Sequence, residues 1–242
     1  MQTIYYIDRY GNIDRTGFRY KKTPTVKIYP VTLVNLVGGI ASSFEYDSDG
    51  NGLADGWSIT TTSGSSYSLT TGIVGNYAQQ RNIDNTEGSS ILYNELWRKV
   101  YYPSSTIFVS VYIKKTSDDT SVNAPYIALR GYDADEAWID TLYVTAQNSQ
   151  NWHRICGMYT FDPDVVRYTF MITQKVEAGE YGSYAVDAAL MYDLKAMGTL
   201  PPPLQQLYSA TYWYELSEEQ LVALLPFCPG VCSLGFAWES DV

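Results

Sequence analysis

The sequence has few charged residues, and the balance among them excludes one class of partner. Only 17% of the 242 residues are charged and 45% are hydrophobic, so the chain can bury a core and is not intrinsically disordered. Acidic residues outnumber basic residues 26 to 16, which gives a formal net charge of −10. Because a nucleic acid backbone is itself anionic, this charge disfavours non-specific binding of DNA or RNA.

The signatures of common catalytic sites are also missing. A Ser-His-Asp triad would need the one histidine, His153, and no Gly-x-Ser-x-Gly motif accompanies it. Neither Gly-Lys-Ser nor Gly-Lys-Thr occurs, so no P-loop is present for a nucleotide phosphate. Paired carboxylates are always available among 26 acidic residues and do not by themselves indicate glycoside hydrolysis. We therefore predict that the protein is not an enzyme.

Cysteines and long apolar runs are scarce. Cys156, Cys228 and Cys232 are odd in number and do not indicate a disulfide framework. We expect reduced thiols in a chain made in a cytoplasm, with a local disulfide near the C-terminus as the alternative.

The longest apolar run, residues 33–40, is interrupted by Asn35 and two glycines and is too short to cross a bilayer. The first residues lack a signal-peptide pattern, and we predict no membrane insertion.

Tyrosine, in contrast, is abundant. The chain has 23 Tyr against 7 Phe and 6 Trp. Tyrosine carries a polar hydroxyl on an apolar ring and is therefore suited to surfaces and interfaces. This composition favours binding or assembly over catalysis.

From residue 35 to residue 198, short strand-like segments alternate with turns. The clearest alternation places Ile107, Val109, Val111 and Ile113 on one face, because side chains of a strand repeat every two residues. Strand-like segments occur at 68–70, 89–93, 106–113, 126–130, 138–144, 152–159, 168–173 and 184–191. This pattern predicts an all-β jelly-roll β-sandwich over residues 35–198.

Two terminal segments flank the predicted jelly roll. Residues 1–34 are predicted to form a β arm, and six basic residues lie within the first 30 positions. An arm opposite in charge to the rest of the chain favours docking on a neighbouring subunit, with a solvated hairpin as the alternative. We predict that this segment and residues 199–242 serve assembly.

The C-terminal segment, residues 199–242, contains one helix signal. Pro201–Pro203 is predicted to be a stiff spacer. Ser217 and Gln220 have the spacing of a capping box, and Pro226 is expected to end the short helix that follows. The last apolar residues have no evident partner within the chain.

The most specific motif is the acidic loop at residues 47–57. Oxygen-bearing side chains occupy its first, third, fifth and ninth places, which suits Ca²⁺ and its six to eight oxygen ligands. These side chains are Asp47, Asp49, Asn51 and Asp55. The glutamate expected at the twelfth place of an EF-hand is replaced by Ser58. We predict a bound calcium ion, with a metal-free turn rich in Asp and Asn as the alternative.

An ordered set of motifs covers residues 35–195. The motifs are Asn35-Leu36-Val37, Phe44-Glu45, the acidic loop ending in Gly56-Trp57, Val109 to Lys115, Trp152-His153-Arg154-Ile155, and Tyr184-Ala185-Val186-Asp187. Together they resemble carbohydrate-binding-module-like jelly rolls. The helix predicted at 216–225 is similar to one that follows the last strand in jelly-roll domains of phage tail and other virion proteins.

This resemblance implies a structural calcium ion between the Phe-Glu loop and the last strand. Its ligands would be Glu45, Asp47 or Asp49, and Asp187, completed by backbone carbonyls. Asp187 lies on an otherwise apolar strand, and a buried carboxylate needs a cation or hydrogen bonds. A salt bridge to an arginine is the alternative for Asp187.

Aromatic residues supply the candidates for sugar binding, because sugars stack on exposed rings while polar groups hold their hydroxyls. The candidate rings are Trp97, Tyr132, Trp138 and Tyr143, and their polar partners are Arg130, Asp133, Asp135 and Glu136. We predict that Trp57 and Trp152 belong to the core instead. For each exposed ring, contact between subunits is the alternative.

These features lead to two functional hypotheses of different classes. The first is a non-catalytic phage virion structural protein (a tail, fibre or capsid-decoration component) made in the host cytoplasm. Its partners would be other virion proteins and further copies of the chain. The second is a carbohydrate-binding module that recognises host or environmental glycans, and a cell-surface adhesin domain is a weaker third. A jelly roll supports all of these roles, so the fold alone does not choose.

Overall fold

The computed structural model describes residues 2–7, 13–14, 26–60, 64–88, 90–102 and 105–239. Its strands are β1 (Gln2–Ile7), β2 (Ile13–Asp14), β3 (Val26–Val34), β4 (Ser58–Ile59), β5 (Ser65–Thr71), β6 (Tyr77–Asn85), β7 (Leu92–Tyr101), β8 (Thr106–Lys115), β9 (Tyr126–Tyr132), β10 (Trp138–Thr145), β11 (His153–Thr160), β12 (Arg167–Val176), β13 (Glu180–Asp193) and β14 (Val231–Glu239). The helices are α1 (Gly39–Ser43), α2 (Pro202–Tyr208) and α3 (Glu218–Leu224). In these described ranges, no helix has both the length and the apolar character needed to cross a membrane.

Two five-stranded sheets pack face to face. The front sheet has the strand order β10-β9-β12-β7-β4, and the back sheet has the order β11-β8-β13-β6-β5. Between them lies a core built from alternate side chains, such as Leu96 of β7, Phe170 of β12 and Val109 of β8. The predicted all-β jelly-roll β-sandwich is confirmed, and the alternation predicted in β8 places Ile107 and Val111 in this core.

A second apolar core covers the other face of the back sheet. Phe108 of β8, together with Leu190 and Tyr192 of β13, points away from the sandwich and packs with α2, α3 and the strands β3 and β14. Arg154 of β11 links this face to α3, because its guanidinium donates hydrogen bonds to the carbonyls of Val222 and Leu225 at the end of the helix. The C-terminal segment is therefore part of the folded core of this chain.

The two chain ends meet in a third, terminal sheet with the order β2-β1-β14-β3. Strand β14 pairs antiparallel with β3 and parallel with β1. The apolar C-terminal residues, which have no evident partner in the sequence, thus pair with the N-terminal segment. Their role in assembly stays a prediction.

Three local expectations in the C-terminal segment have different outcomes. The capping box is confirmed, because Ser217 accepts a hydrogen bond from the backbone N–H of Gln220 and the Gln220 side chain accepts one from the N–H of Ser217. The stiff proline spacer is wrong: α2 begins at Pro202, where the fixed φ of proline suits a first helical turn. The expected reduced thiols are also wrong for one pair, since Cys228 and Cys232 form a disulfide across Cα atoms 6.0 Å apart.

Strand β6 is not evident from sequence periodicity because several of its buried residues are polar. Gln79 is buried and donates hydrogen bonds to the carbonyls of Gly52 and Ser68. Arg81 is also fully buried and donates to the carbonyls of Ser66 and Thr60. Backbone carbonyls thus bind Gln79 and the two terminal nitrogens of Arg81, whose Nε has no partner among the described residues, so the strand is buried without an apolar pattern.

Candidate functional site

The outer face of the front sheet carries the side chains that point away from the core. Because Leu96, Leu129 and Phe170 face the sandwich interior, their neighbours along each strand face outward. The residues of this outer face are Tyr93, Glu95, Trp97, Lys99 and Tyr101 on β7, Arg167, Thr169, Met171, Thr173 and Lys175 on β12, Tyr126, Ala128, Arg130 and Tyr132 on β9, and Trp138, Thr141, Tyr143 and Thr145 on β10.

Strand register arranges these side chains in lateral rows. The first row is Tyr101, Arg167, Tyr132 and Trp138. The second row is Lys99, Thr169, Arg130 and Thr141. The third row is Trp97, Met171, Ala128 and Tyr143. Five of the six predicted carbohydrate-binding residues, all except Asp133, therefore share one face.

Cations stack on aromatic rings in the first two rows. The guanidinium carbon of Arg130 lies 4.9 Å from the centroid of the Trp138 ring, and that of Arg167 lies 4.2 Å from the Tyr132 ring. The indole of Trp138 is 56% exposed and is oriented by its Nε1–H, which donates to the hydroxyl of Thr141 at 2.6 Å. These contacts hold planar groups in place before any ligand binds.

Further tyrosines extend the aromatic surface. The rings of Tyr126 and Tyr143 lie 6.1 Å apart between centroids, and Tyr143 is 53% exposed. Tyr93 and Tyr101, at the two ends of β7, are also exposed. Sequence reasoning missed these two residues, although the alternation of Tyr93, Glu95, Trp97, Lys99 and Tyr101 is a signal that could have shown them.

The predicted acidic partners lie in the turn between β9 and β10. The carboxylate of Asp133 accepts hydrogen bonds from the backbone N–H groups of Asp135 and Ala137, so it closes the turn. Glu136, with a φ of 64°, places its carboxylate 3.8 Å from the guanidinium of Arg167. The turn therefore borders the first row.

The two tryptophans predicted for the core have different positions. Trp57 is buried, stacks on Phe44 at 5.1 Å and donates its indole N–H to the carbonyl of Ala41, which confirms the prediction. Trp152 lies outside the core and is only partly buried, so its prediction is wrong. Lys114 covers its ring at 4.7 Å, because Trp152 precedes β11 at the edge of the back sheet.

The predicted calcium ligands in the acidic loop bind the loop's own backbone. Asp47 accepts hydrogen bonds from the N–H groups of Asn51 and Gly52, and Asp49 accepts one from Asn51. Asn51 accepts from Leu53, while Asp55 accepts from the backbone and hydroxyl of Ser48. These contacts are the Asx turns that the alternative interpretation describes.

Glu45 and Asp187 meet elsewhere, at the turn between β5 and β6. Asp187 is fully buried and accepts hydrogen bonds from the N–H groups of Ile73 and Val74. Glu45 accepts from the N–H groups of Asn76 and Tyr77 in the same turn. The turn favours glycine at position 75, since its φ of 84° lies in the left-handed region and a Cβ would also displace the Glu45 carboxylate.

The environment of Asp187 disfavours its charge. Burial raises the pKa of this carboxyl to about 6, the nearby charge of Glu45 adds to the rise, and backbone N–H donors oppose it. The described residues place no arginine or lysine in an ion pair with it, so they do not support the alternative of a salt bridge to an arginine.

The predicted calcium ligands thus do not form one set. Across the ranges that the structure describes, no three His, Cys, Asp or Glu side chains gather as a metal site. The oxygen donors of Glu45 and Asp187 fit a calcium ion in chemical type, whereas the side chains of residues 47–55 are used within their own loop. Calcium stays a prediction for Glu45 and Asp187.

Both ring nitrogens of His153 contact the backbone. Nε2 accepts a hydrogen bond from the N–H of Gln147 at 3.0 Å, and Nδ1 lies 3.0 Å from the carbonyl of Asn151. The neutral ring therefore carries its proton on Nδ1. These contacts give His153 a role in fixing the loop before β11.

No protein-family model matches the sequence, and no curated protein matches it. Among solved structures, the chain is similar to the enzymatically active domain of tailspike protein 4 of bacteriophage CBA120, with a TM-score of 0.47, 10% identity and coverage of 66% of this chain but 21% of that one. It is also similar to the CBM22-1 xylan-binding domain of Paenibacillus barcinonensis Xyn10C, with a TM-score of 0.43, 17% identity and coverage of 63% of this chain and 91% of that one.

A third similar structure is TmCBM61 in complex with β-1,4-galactotriose, with a TM-score of 0.41, 14% identity and coverage of 66% of this chain and 98% of that one. These neighbours are carbohydrate-binding modules and a phage tailspike domain, and all three likenesses are distant.

Proposed function

We propose that the protein binds glycans through the outer face of its front sheet. The observation that carries the proposal is the register of the first three rows, which sets aromatic rings beside guanidinium and hydroxyl groups on one face. On this face Trp138 and Tyr143 are exposed, whereas the central β12 residues are buried among their neighbours. Flat rings bind the C–H faces of sugars, and convergent polar groups fix the hydroxyls. The paired contacts of Trp138 and Arg130 hold both kinds of group in position.

Binding requires no movement of the backbone, since every candidate ring lies on a strand held by neighbours on both sides or, for β10, on one side. Sites on strands are positioned more rigidly than sites on loops. The expected ligand is an extended glycan chain lying across the strands, in contact with Tyr132, Trp138 and Tyr143.

A glycan array followed by calorimetric titration tests this proposal. We expect saturable binding to a defined glycan and a loss of affinity of about tenfold or more in Trp138→Ala, since stacked rings and their hydrogen bonds supply the contact. Tyr46→Ala is the matched control, because Tyr46 is 59% exposed but lies outside the front sheet. Equal losses in both variants, or no binding of any glycan by the folded protein, would contradict the proposal.

We also propose that the protein is a non-catalytic component of a phage virion, as the sequence predicts. The specific support is the terminal sheet, where Val34 and Val231 are paired across β3 and β14 and are 48% and 69% exposed. Exposed apolar side chains side by side favour contact with another chain. The six basic residues among the first 30 positions, in a chain of net charge −10, favour the same role.

Light scattering of the purified protein tests this second proposal. We expect an oligomer that dissociates in the double variant Val34→Lys, Val231→Lys, whose charges would oppose burial at a subunit interface. Ser66→Lys, on the exposed edge strand β5 of the back sheet, is the control. A monomeric wild-type protein, or an oligomer that persists in the double variant, would argue against assembly through this sheet.

We propose calcium at Glu45 and Asp187 as a stabilising element of the same fold. Two carboxylates converge on one turn, and one of them is fully buried. Bound there, the ion would supply the positive charge that the described side chains around Asp187 lack. Its test is given with the predictions below.

A further inference from the structure

The outer face of the front sheet differs in charge from the rest of the chain. The whole sequence has 26 acidic and 16 basic residues. On the outer face, the strands carry four basic residues and one acidic residue. The basic residues are Lys99, Arg130, Arg167 and Lys175, and the acidic residue is Glu95. A cationic surface on an anionic protein concentrates anionic ligands locally.

Two of the four cations are already paired. Arg167 lies 3.8 Å from Glu136, and Lys175 lies 2.5 Å from Glu177. Neither Lys99 nor Arg130 has an ion-pair partner among the described residues. The unpaired positive charge of this face is therefore concentrated in the second row.

Arg130 also has an unsatisfied hydrogen-bond donor. Its Nε is buried and has no hydrogen-bond partner among the described residues. The guanidinium is held against Trp138, so its position is set by the protein rather than by a carboxylate. A ligand cannot reach this buried Nε, but the other N–H groups of the guanidinium have no hydrogen-bond acceptor among the described residues and can donate to an anion.

Lys99 and Arg130 lie in the same row with Thr169 between them. They are thus two strands apart, or about 10 Å. Arginine can bind a carboxylate or an oxyanion through two parallel hydrogen bonds, whereas lysine acts as a point charge. The row can therefore engage two anionic groups of one extended chain.

We propose that the glycan recognised by the outer face is an acidic polysaccharide. Its carboxylate, sulfate or phosphate groups bind Arg130 and Lys99, while its sugar rings lie on Trp138 and Tyr132. This inference rests on the proposed glycan binding and adds the charge class of the ligand. Of the three acids in the bordering turn, Asp133 is used within the turn and Glu136 faces Arg167, while Asp135 is exposed beside the first row rather than the second.

Matched pairs of polymers test the charge class by calorimetric titration of the full chain. The pairs are polygalacturonate and its carboxyl-reduced form, dextran sulfate and dextran, and phosphomannan and mannan. We expect one charged member to bind at least tenfold more tightly than its neutral partner, and the charged pair that responds identifies the anionic group. Affinity for it should fall as salt concentration rises.

Charge-removing variants then locate the binding groups. Arg130→Gln should weaken binding of the preferred polyanion about tenfold, since a charged hydrogen bond is lost, and Lys99→Gln should weaken it less. Lys195→Gln removes the same charge from an exposed position in the turn after β13, outside the front sheet, and should leave affinity unchanged. Equal weakening by all three variants would mean that the net charge, rather than this row, binds the polymer.

The failures of the two proposals can be distinguished. Neutral glycans bound as tightly as acidic ones, with loss in Trp138→Ala but not in Arg130→Gln, would overturn the acidic ligand and leave glycan binding intact. Binding of polyanions that Trp138→Ala leaves unchanged would indicate simple ion exchange and would overturn both. Absence of binding to every polymer and array glycan would also overturn both.

Discussion

The two sheets of the sandwich have outer faces of opposite character. The front sheet presents exposed rings, hydroxyls and cations, as at Tyr143, Thr141 and Lys99. The back sheet presents Phe108, Leu190 and Tyr192, and each is buried under the C-terminal segment. One architecture thus supplies a binding surface on one side and a second core on the other. What distinguishes the sides is where the two chain ends pack.

The largest expected effect tests whether the covered face is a true core. Phe108→Ala should lower the free energy of unfolding by about 3–5 kcal/mol, because it leaves a cavity under the C-terminal segment. Denaturant unfolding measures the change. Tyr143→Ala, its counterpart on the open face, should change stability by less than about 1 kcal/mol. Similar losses for both variants would remove the distinction between the faces.

The next prediction concerns the proposed calcium site of Glu45 and Asp187, at the turn between β5 and β6. If Glu45 and Asp187 bind Ca²⁺, a calcium concentration of about 100 times the Kd should raise the free energy of unfolding by about 2.7 kcal/mol. The Tm should then rise by roughly 5–10 °C. Melting scans in calcium and in chelator measure the shift, which Asp187→Asn should abolish. Identical melting curves would mean that the backbone N–H groups alone satisfy these carboxylates.

The disulfide between Cys228 and Cys232 tests how firmly the back face is covered, because it ties the segment before β14 to the second residue of that strand. Cys232→Ser should lower stability by about 2 kcal/mol, as expected for closing so short a loop. Thermal unfolding with and without reductant measures it, and the reductant should affect the wild-type protein but not Cys232→Ser. Cys156→Ser, which removes the free thiol, is the control, and its curve should still respond to reductant.

The smallest effect concerns the helix that covers the back face. Ser217→Ala removes the N-cap of α3 and should lower the free energy of unfolding by about 1 kcal/mol. Hydrogen exchange should localise the loss to α3, while glycan affinity on the front sheet stays unchanged. A change in affinity would show that the two faces are coupled, against the independence that their separate cores predict.

Much of the front sheet could be predicted from local patterns. The strand-like segments at 126–130 and 138–144 correspond to β9 and β10 of this sheet, as alternation identified β8 in the back sheet. Trp138, Tyr132 and Arg130 were therefore recognised as candidates without a structure.

The residues that β12 contributes to the site could not be predicted from local patterns. Arg167 is 35 positions from Tyr132 and 66 from Tyr101, yet it lies between them in the first row. Such pairing depends on register between distant strands, which periodicity within each strand does not specify. Strand β6 was not recognised because its buried Gln79 and Arg81 are polar and donate hydrogen bonds to backbone carbonyls, which breaks the apolar pattern.

By itself, the sequence determined the all-β class, the faces of the clearest strands and the start of α3, because each depends on residues within a few positions of one another. Only the tertiary structure decided which sheet face stays open, which rings and cations share a row, and that backbone N–H groups bind Asp187. These features depend on contacts between residues far apart in the chain. Their formation requires packing and strand pairing across the whole molecule, and no local pattern encodes them.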